Sequence, residues 1–431
     1  MADREPRFGT RAVHAGQPPD PTTGARAPPL YQTTSYVFED ASHAAALYAL
    51  DRDGDVYSRI SNPTVRTLER RLASLEAGTG AVATASGMAA FDAATTLLAR
   101  AGDNVVSSSA IYGGTRAYLA HTASRRGIEA RFADPRSPNE FTDAIDDRTA
   151  YVHVETIGNP SLVTPDFTAI AEIAHEAGAP LFVDNTFATP ALCRPLEHGA
   201  DLVWESTTKW LHGSGTTIGG ALIDGGSFPW REYPDRFPEL GAENPAFHGL
   251  IFADRFGDRA FAAGARHRGL RPVGQAQSPF DAWQTIQGLE SLPLRMERHC
   301  ANASIVADFL AEDDRVDWVT YPGLAAHPTH DVADKYLEGG FGGMVTFGPA
   351  GGFEAAQAVC ETAELASFLA NVGDAKTLII HPGSTTHAQL SEAEQRASGV
   401  TPDLVRLSVG VEDPADILAD LDQALEGATG T

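Results

Sequence analysis

Three short runs carry residue types suited to chemistry. In Ser206-Thr207-Thr208-Lys209-Trp210 a lysine follows an apolar strand pattern, between hydroxyls and a glycine-rich stretch with Gly213, Gly215, Gly219 and Gly220. An amine held out of water loses proton affinity and becomes usable as a nucleophile or base. A solvated loop lysine is the plain alternative. Against it stand the scarcity of lysine, with only Lys209, Lys335 and Lys376 in the chain, and the placement at a sheet's carboxyl edge. Val183-Asp184-Asn185 ends a second apolar strand in a carboxylate, where parallel strands open onto ligand crevices, although capping of the next segment would also account for it. Ser86-Gly87-Met88 reads as a strand-to-helix turn whose free N–H groups suit an anion, a signal shared by many α/β turns.

A strand-end lysine, a strand-end acid and a phosphate-type turn together suit pyridoxal phosphate, which needs an amine for its Schiff base, an acid at its pyridine nitrogen and donors for its phosphate.

The elements that must position these runs are legible as an alternation. Val65, Leu68, Leu72 and Leu75 recur at helical spacing after Asn62-Pro63, and Gly78 is expected to end that helix. Strands are expected at 81–85, 104–107, 151–154, 181–184, 202–204 and 221–223, with helices such as one from 87 to about 100 and one at 170–177 between them. This pattern predicts an α/β layer with a mainly parallel sheet. A Pro-, Gly- and aromatic-rich stretch spans about 226–274, helices follow at 282–289 and 295–310, and the remainder suits a smaller C-terminal α+β domain. The first fifty or so residues, rich in Pro, Gly and Thr, read as an extended arm packed on something else.

The 431 residues are 43% hydrophobic, enough for a sizeable core in two or three units. No apolar run is long enough to cross a membrane, and Met1-Ala2-Asp3-Arg4-Glu5-Pro6 is unlike a signal peptide, so a cytoplasmic location is expected. The net charge of −25 argues against nucleic acid as a partner. Acidic and lysine-poor together suit concentrated salt, so a halophilic origin is one expectation and compositional drift in a GC-rich genome the other. Cys193, Cys300 and Cys360 are too far apart and too few for a disulfide framework or zinc ribbon. His327 with His330, and His381 with His387, lack a third ligand at useful spacing, so loop histidines are expected rather than a metal site. A serine-hydrolase elbow is missing too.

The runs Tyr57-Ser58-Arg59-Ile60-Ser61-Asn62-Pro63-Thr64, Ser86-Gly87-Met88-Ala89-Ala90, Tyr112-Gly113-Gly114-Thr115, Glu155-Thr156 with Asn159-Pro160, Val183-Asp184-Asn185-Thr186, the Lys209 run and His381-Pro382-Gly383-Ser384-Thr385-Thr386-His387 resemble, in order and over nearly the whole chain, the Cys/Met-metabolism family of pyridoxal-phosphate enzymes. The resemblance implies fold type I: an arm (1–62) serving the neighbouring subunit's active site, a large cofactor domain (63–290, insertion 226–274), a C-terminal domain (291–431), and a homotetramer of active dimers. It implies Lys209 as the Schiff-base lysine and proton shuttle, and Asp184 at the pyridinium nitrogen. Ser86, Gly87, Met88, Ser206 and Thr208 would hold the phosphate, with Tyr57 and Arg59 reaching the neighbour's. Tyr112 would stack on the ring and serve as acid or base, Asn159 would meet its phenolate oxygen, and Arg406 would clamp the substrate carboxylate with Asn371 assisting. Read alone, Tyr57 and Tyr112 also suit half-buried aromatics, and Arg406 a surface cation beside Asp403.

The 226–274 stretch resembles the insertion of the O-acetylhomoserine sulfhydrylase branch. Gly114 stands where methionine γ-lyases tend to carry cysteine, and Ala370 where cystathionine γ-lyases tend to carry glutamate. The implied reaction is γ-replacement, O-acetyl-L-homoserine plus sulfide giving L-homocysteine plus acetate, within methionine or cysteine metabolism. A γ-lyase or cystathionine γ-synthase of the same family is the nearer alternative, and a non-catalytic scaffold the farther one.

Overall fold

The computed structural model describes residues 6–386, 388, 395–396 and 399–429; His387 lies outside them. Seven strands form the larger sheet: β1 (Gly80–Thr84), β2 (Asn104–Ser108), β3 (Glu129–Ala133), β4 (Thr149–Glu155), β5 (Leu181–Asp184), β6 (Leu202–Glu205) and β7 (Gly220–Asp224). Their order is β1-β7-β6-β5-β4-β2-β3. Only β7 runs against its neighbours, β1 and β6; the rest are parallel, as the alternating pattern predicted.

Side-chain alternation divides the core into two layers. Tyr151, Phe182, Trp204 and Leu222 pack on one face with Phe91 and Leu97 of the helix Gly87–Leu98. Val152, Val183, Val203 and Ile223 pack on the other with Val65, Leu68 and Leu72 of the helix Pro63–Leu75. Each such side chain, fully buried, stabilises the fold by roughly 1.5–3 kcal/mol. The period of two then puts Glu155 and Asp184 on the Phe91 face and Glu205 on the opposite one.

The helix Pro63–Leu75 starts where expected, with Asn62 accepting from the Thr64 N–H at 2.9 Å and proline in the first turn. Its end corrects the expectation for Gly78. Ala77 takes the left-handed turn (φ 59), and Gly78 donates back to Ala73 at 2.8 Å. Gly78 is needed for a different reason, since a Cβ there would lie 2.4 Å from Ile223 Cγ2.

Five further strands, β8 (Val316–Thr320), β9 (Met344–Pro349), β10 (Ser367–Phe368), β11 (Leu378–Ile380) and β12 (Val405–Ser408), form a second sheet in the order β10-β11-β12-β9-β8. Helices Leu292–Glu312, Gly352–Thr362 and Pro414–Thr429 cover it through Val306, Leu310, Val359, Leu421 and Leu425. The 226–274 stretch folds into short helical pieces around Phe228, Trp230, Phe237 and Phe261, joined to the Phe91 layer. Near the N-terminus, the helix Phe8–His14 is tied to the body by Arg71, fully buried, which donates to the carbonyls of Val13, Ala15 and Ile286. Among the described residues no helix is long and apolar enough to cross a membrane. All three cysteines are buried free thiols. His330, which opens the helix His330–Tyr336, meets the Pro322 carbonyl at 2.9 Å, and His381 that of Pro402 at 2.8 Å.

Candidate active site

The carboxyl ends of β4, β5 and β6, the turn after β1 and the start of β12 converge on one cavity of about 580 Å³. Ser86, Gly87, Met88, Tyr112, Asn159, Asp184, Ser206, Thr208, Lys209, Asn371 and Arg406 all line it.

The turn after β1 is built for close approach. Ser86 caps the helix by accepting from Ala89 N–H at 3.1 Å, and helix geometry leaves the N–H groups of Gly87 and Met88 without an intrahelical acceptor. A Cβ on Gly87 would stand 2.9 Å from Ser206 Cβ, and one on Gly220 would stand 2.2 Å from the Ser86 carbonyl oxygen. Gly87 thus lets the first turn of the helix press against Ser206, and Gly220 lets β7 approach the Ser86 backbone. Thr208 is held by Gly219, donating to its carbonyl at 3.2 Å and accepting from its N–H at 3.0 Å.

Lys209 Nζ donates to Asn371 Oδ1 at 2.5 Å. Burial, with Arg406 nearby, lowers its pKa to about 8. Arg406, 8% exposed, donates to Asn159 Oδ1 at 3.2 Å, and burial brings it down to about 10 despite the opposing influence of Tyr112. The reading of Arg406 as a surface cation beside Asp403 therefore fails, and Asp403 instead accepts from Trp318 Nε1 at 2.6 Å.

Asp184 sits 6% exposed and burial raises its pKa, while the Thr186 N–H (2.9 Å) and hydroxyl (2.5 Å) pull it back. A cationic N–H on this carboxylate would favour its charged form.

Three further residues of the cavity wall shape the site around them. Glu155, level with Asp184 across the β4–β5 pairing, accepts from the Tyr112 N–H at 2.6 Å and the Asn159 N–H at 3.2 Å, and so holds two site loops on one carboxyl group. Its sequence signal was the same as that of Asp184: an acid closing an apolar strand. Thr186 orients Asp184 and accepts from the Ser206 N–H at 2.9 Å. Trp204 backs the turn, its Nε1 donating to His153 at 3.2 Å, where burial keeps the imidazole neutral with a pKa lowered to about 3.

Tyr57 and Arg59 lie elsewhere. Tyr57 is 42% exposed, Arg59 sits over its ring at 5.4 Å, and Arg59 also donates to the Arg271 carbonyl. Within one chain they do not reach the cavity.

Residues 9–426 match the family described as Cys/Met metabolism PLP-dependent enzyme. The chain belongs to this family. It is 50% identical to the O-acetyl-L-homoserine sulfhydrylase of Leptospira meyeri, covering 97% of this chain and 96% of that protein. Homocysteine synthase of Schizosaccharomyces pombe is 49% identical, with 98% of each chain covered. A solved structure from Campylobacter jejuni, assigned as an O-acetylhomoserine (thiol)-lyase and carrying N'-pyridoxyl-lysine-5'-monophosphate, superposes with a TM-score of 0.91 at 38% identity, covering 97% of this chain and 100% of that one. The residues here fit the cofactor of the Cys/Met metabolism family: a desolvated amine, a buried acid and a helix start whose N–H groups meet a glycine-lined turn.

Proposed function

We propose that the chain catalyses γ-replacement on O-acetyl-L-homoserine, with sulfide giving L-homocysteine and acetate. Lys209 carries the cofactor. Ser86, the Gly87 and Met88 N–H groups and the Ser206 and Thr208 hydroxyls hold its phosphate, Asp184 its ring nitrogen and Asn159 its phenolate oxygen, with Tyr112 against the ring. The bound cofactor supplies an electron sink for carbanions at the substrate's Cα and Cβ. Lys209 Nζ, which sits near neutrality in proton affinity, takes the Cα proton and returns it. Tyr112 is the second acid or base, and its 46% exposure leaves the hydroxyl free to move. Arg406 grips the substrate carboxylate as a two-pronged donor, and Asn371 and Asn159 fix Lys209 and Arg406 relative to each other.

One observation narrows the choice within the family. Among the described residues lining the cavity, Lys209 and Arg406 are the cations. With Lys209 committed to the cofactor, one site remains for one carboxylate. That suits a substrate with a neutral ester at its far end and a thiol donor without a carboxylate of its own, and it disfavours cysteine. The names of the relatives support the same reading.

The further assignments extend this reading: an arm (1–62) that brings Tyr57 and Arg59 to the neighbour's phosphate, a cofactor domain (63–290) and a C-terminal domain (291–431), a homotetramer of active dimers, a cytoplasmic location without nucleic-acid partners, and adaptation to high salt. The test is product analysis of the purified protein with O-acetyl-L-homoserine, with and without sulfide. Homocysteine formed only with sulfide is expected; α-ketobutyrate as the main product in both cases would replace this reading by a γ-lyase.

A further inference from the structure

Behind Asp184, on the opposite face of the sheet, two carboxyl groups meet that the reaction does not use. Glu76 follows the helix Pro63–Leu75 and Glu205 closes β6; both are fully buried. Their carboxyl groups lie within interaction range of each other. Glu76 Oε1 also accepts from Asn185 Nδ2 at 2.7 Å, and Asn185, the residue after Asp184, is locked by Thr156 (2.8 Å) and the Cys193 carbonyl (2.9 Å). Among the described residues, no N–H or hydroxyl donor reaches Glu76 Oε2 or either oxygen of Glu205. The charged groups nearby are Arg194 and Glu197, paired with each other at 2.8 Å, and Asp184 itself, and the buried Cys193 thiol also faces Glu76.

Two ionised carboxylates cannot sit side by side out of water without a cation, so a proton must lie between them. Burial raises the proton affinity of both carboxyl groups, and the charge of Glu76 raises that of Glu205 further. Two protons would leave the pair neutral and one would leave it singly negative. The Asn185 amide favours the second case, because its Nδ2 donates to Glu76 and thereby supports a charge there.

We propose that Glu76 and Glu205 share a single proton and form a positioning pair whose one negative charge, beneath the sheet, sets the electrostatic balance at Asp184 and through it at the cofactor ring. This rests on Asp184 being the acid at the ring nitrogen. Asn185 links the two faces mechanically, since its side chain holds the pair while its backbone continues from Asp184.

The test uses holoenzyme carrying E76Q/E205Q, with D184N as control and the E205Q single variant as a second, less perturbing change. Far-ultraviolet circular dichroism checks that each is folded. The infrared difference between wild type and E76Q/E205Q should contain the C=O stretch of a protonated carboxylic acid, retained in D184N. The pH midpoint of the cofactor's absorbance change should fall by about half a pH unit or more in E76Q/E205Q, because removing a nearby negative charge disfavours a protonated cofactor. An infrared difference without that band overturns the shared proton. A band without a midpoint shift, while D184N does shift it, means a neutral pair and overturns the electrostatic role. If D184N itself leaves the midpoint unmoved, the Asp184 assignment falls and the role of the pair falls with it.

Discussion

The strand ends of the large sheet and residues 35–59 both carry groups expected at the cofactor, yet they hold them in different ways. Asp184 and Asn159 are nearly sealed, Asp184 held by Thr186 two residues on and Asn159 by Arg406, which reaches across from the second sheet. Tyr57 and Arg59 are exposed, and partner each other and a carbonyl of the 226–274 stretch. Burial and hydrogen bonds within one chain are enough to aim the first set. The second set is tethered but not aimed, which is the condition expected of residues that find their target on another copy of the chain.

Replacing Lys209 is the most severe way to break the sealed half of this comparison. K209A should lower turnover about 10⁴-fold, the upper range for a positioned proton-transfer group, with the fold intact by circular dichroism. The same variant sharpens the other half. Mixing K209A with R59A chains under conditions that exchange subunits should restore activity that neither has alone, whereas an arm serving its own chain's cavity would restore none.

R406K should cost about 30-fold in kcat/KM, mainly through KM, because a lysine cannot reproduce the planar fork and the loss of a charged hydrogen bond is worth about 2 kcal/mol. The depressed affinity of Lys209 for its proton predicts a pH effect on loading. Cofactor attachment requires the neutral amine, so the rate of reconstitution of the apoprotein should rise with pH up to about 8 and then level off; stopped-flow absorbance checks this. The smallest effect is expected at Gly114. A Cβ there would lie 2.4 Å from Tyr112 Cε1, so G114A should turn the ring and raise KM a few-fold, visible as a changed cofactor circular-dichroism band.

Much of this was legible because parallel strands buried on both faces print themselves as apolar runs, and an acid or lysine at the end of such a run stands out. Asp184 and Lys209, which line the cavity, stand out in this way. The strand Glu129–Ala133 does not, since it lies at the sheet edge, where the exposed Glu129 pairs with the half-buried Arg131. The helical pieces between 226 and 274 escaped notice because their order comes from aromatic packing rather than from periodicity. Glu76 and Glu205 could not be paired from sequence, being far apart in the chain and brought together only by the fold.

The isolation of Lys209 has a practical side. The other two lysines are more than half exposed and sit beside carboxylates, Lys335 at 3.2 Å from Asp166 and Lys376 at 3.3 Å from Asp374. The chain therefore offers three side-chain amines to a labelling reagent, one of which disappears from the tally whenever the cofactor is attached. Intact-mass measurement after reductive methylation would count loaded and empty molecules directly, so the scarcity of lysine turns the protein into its own occupancy gauge.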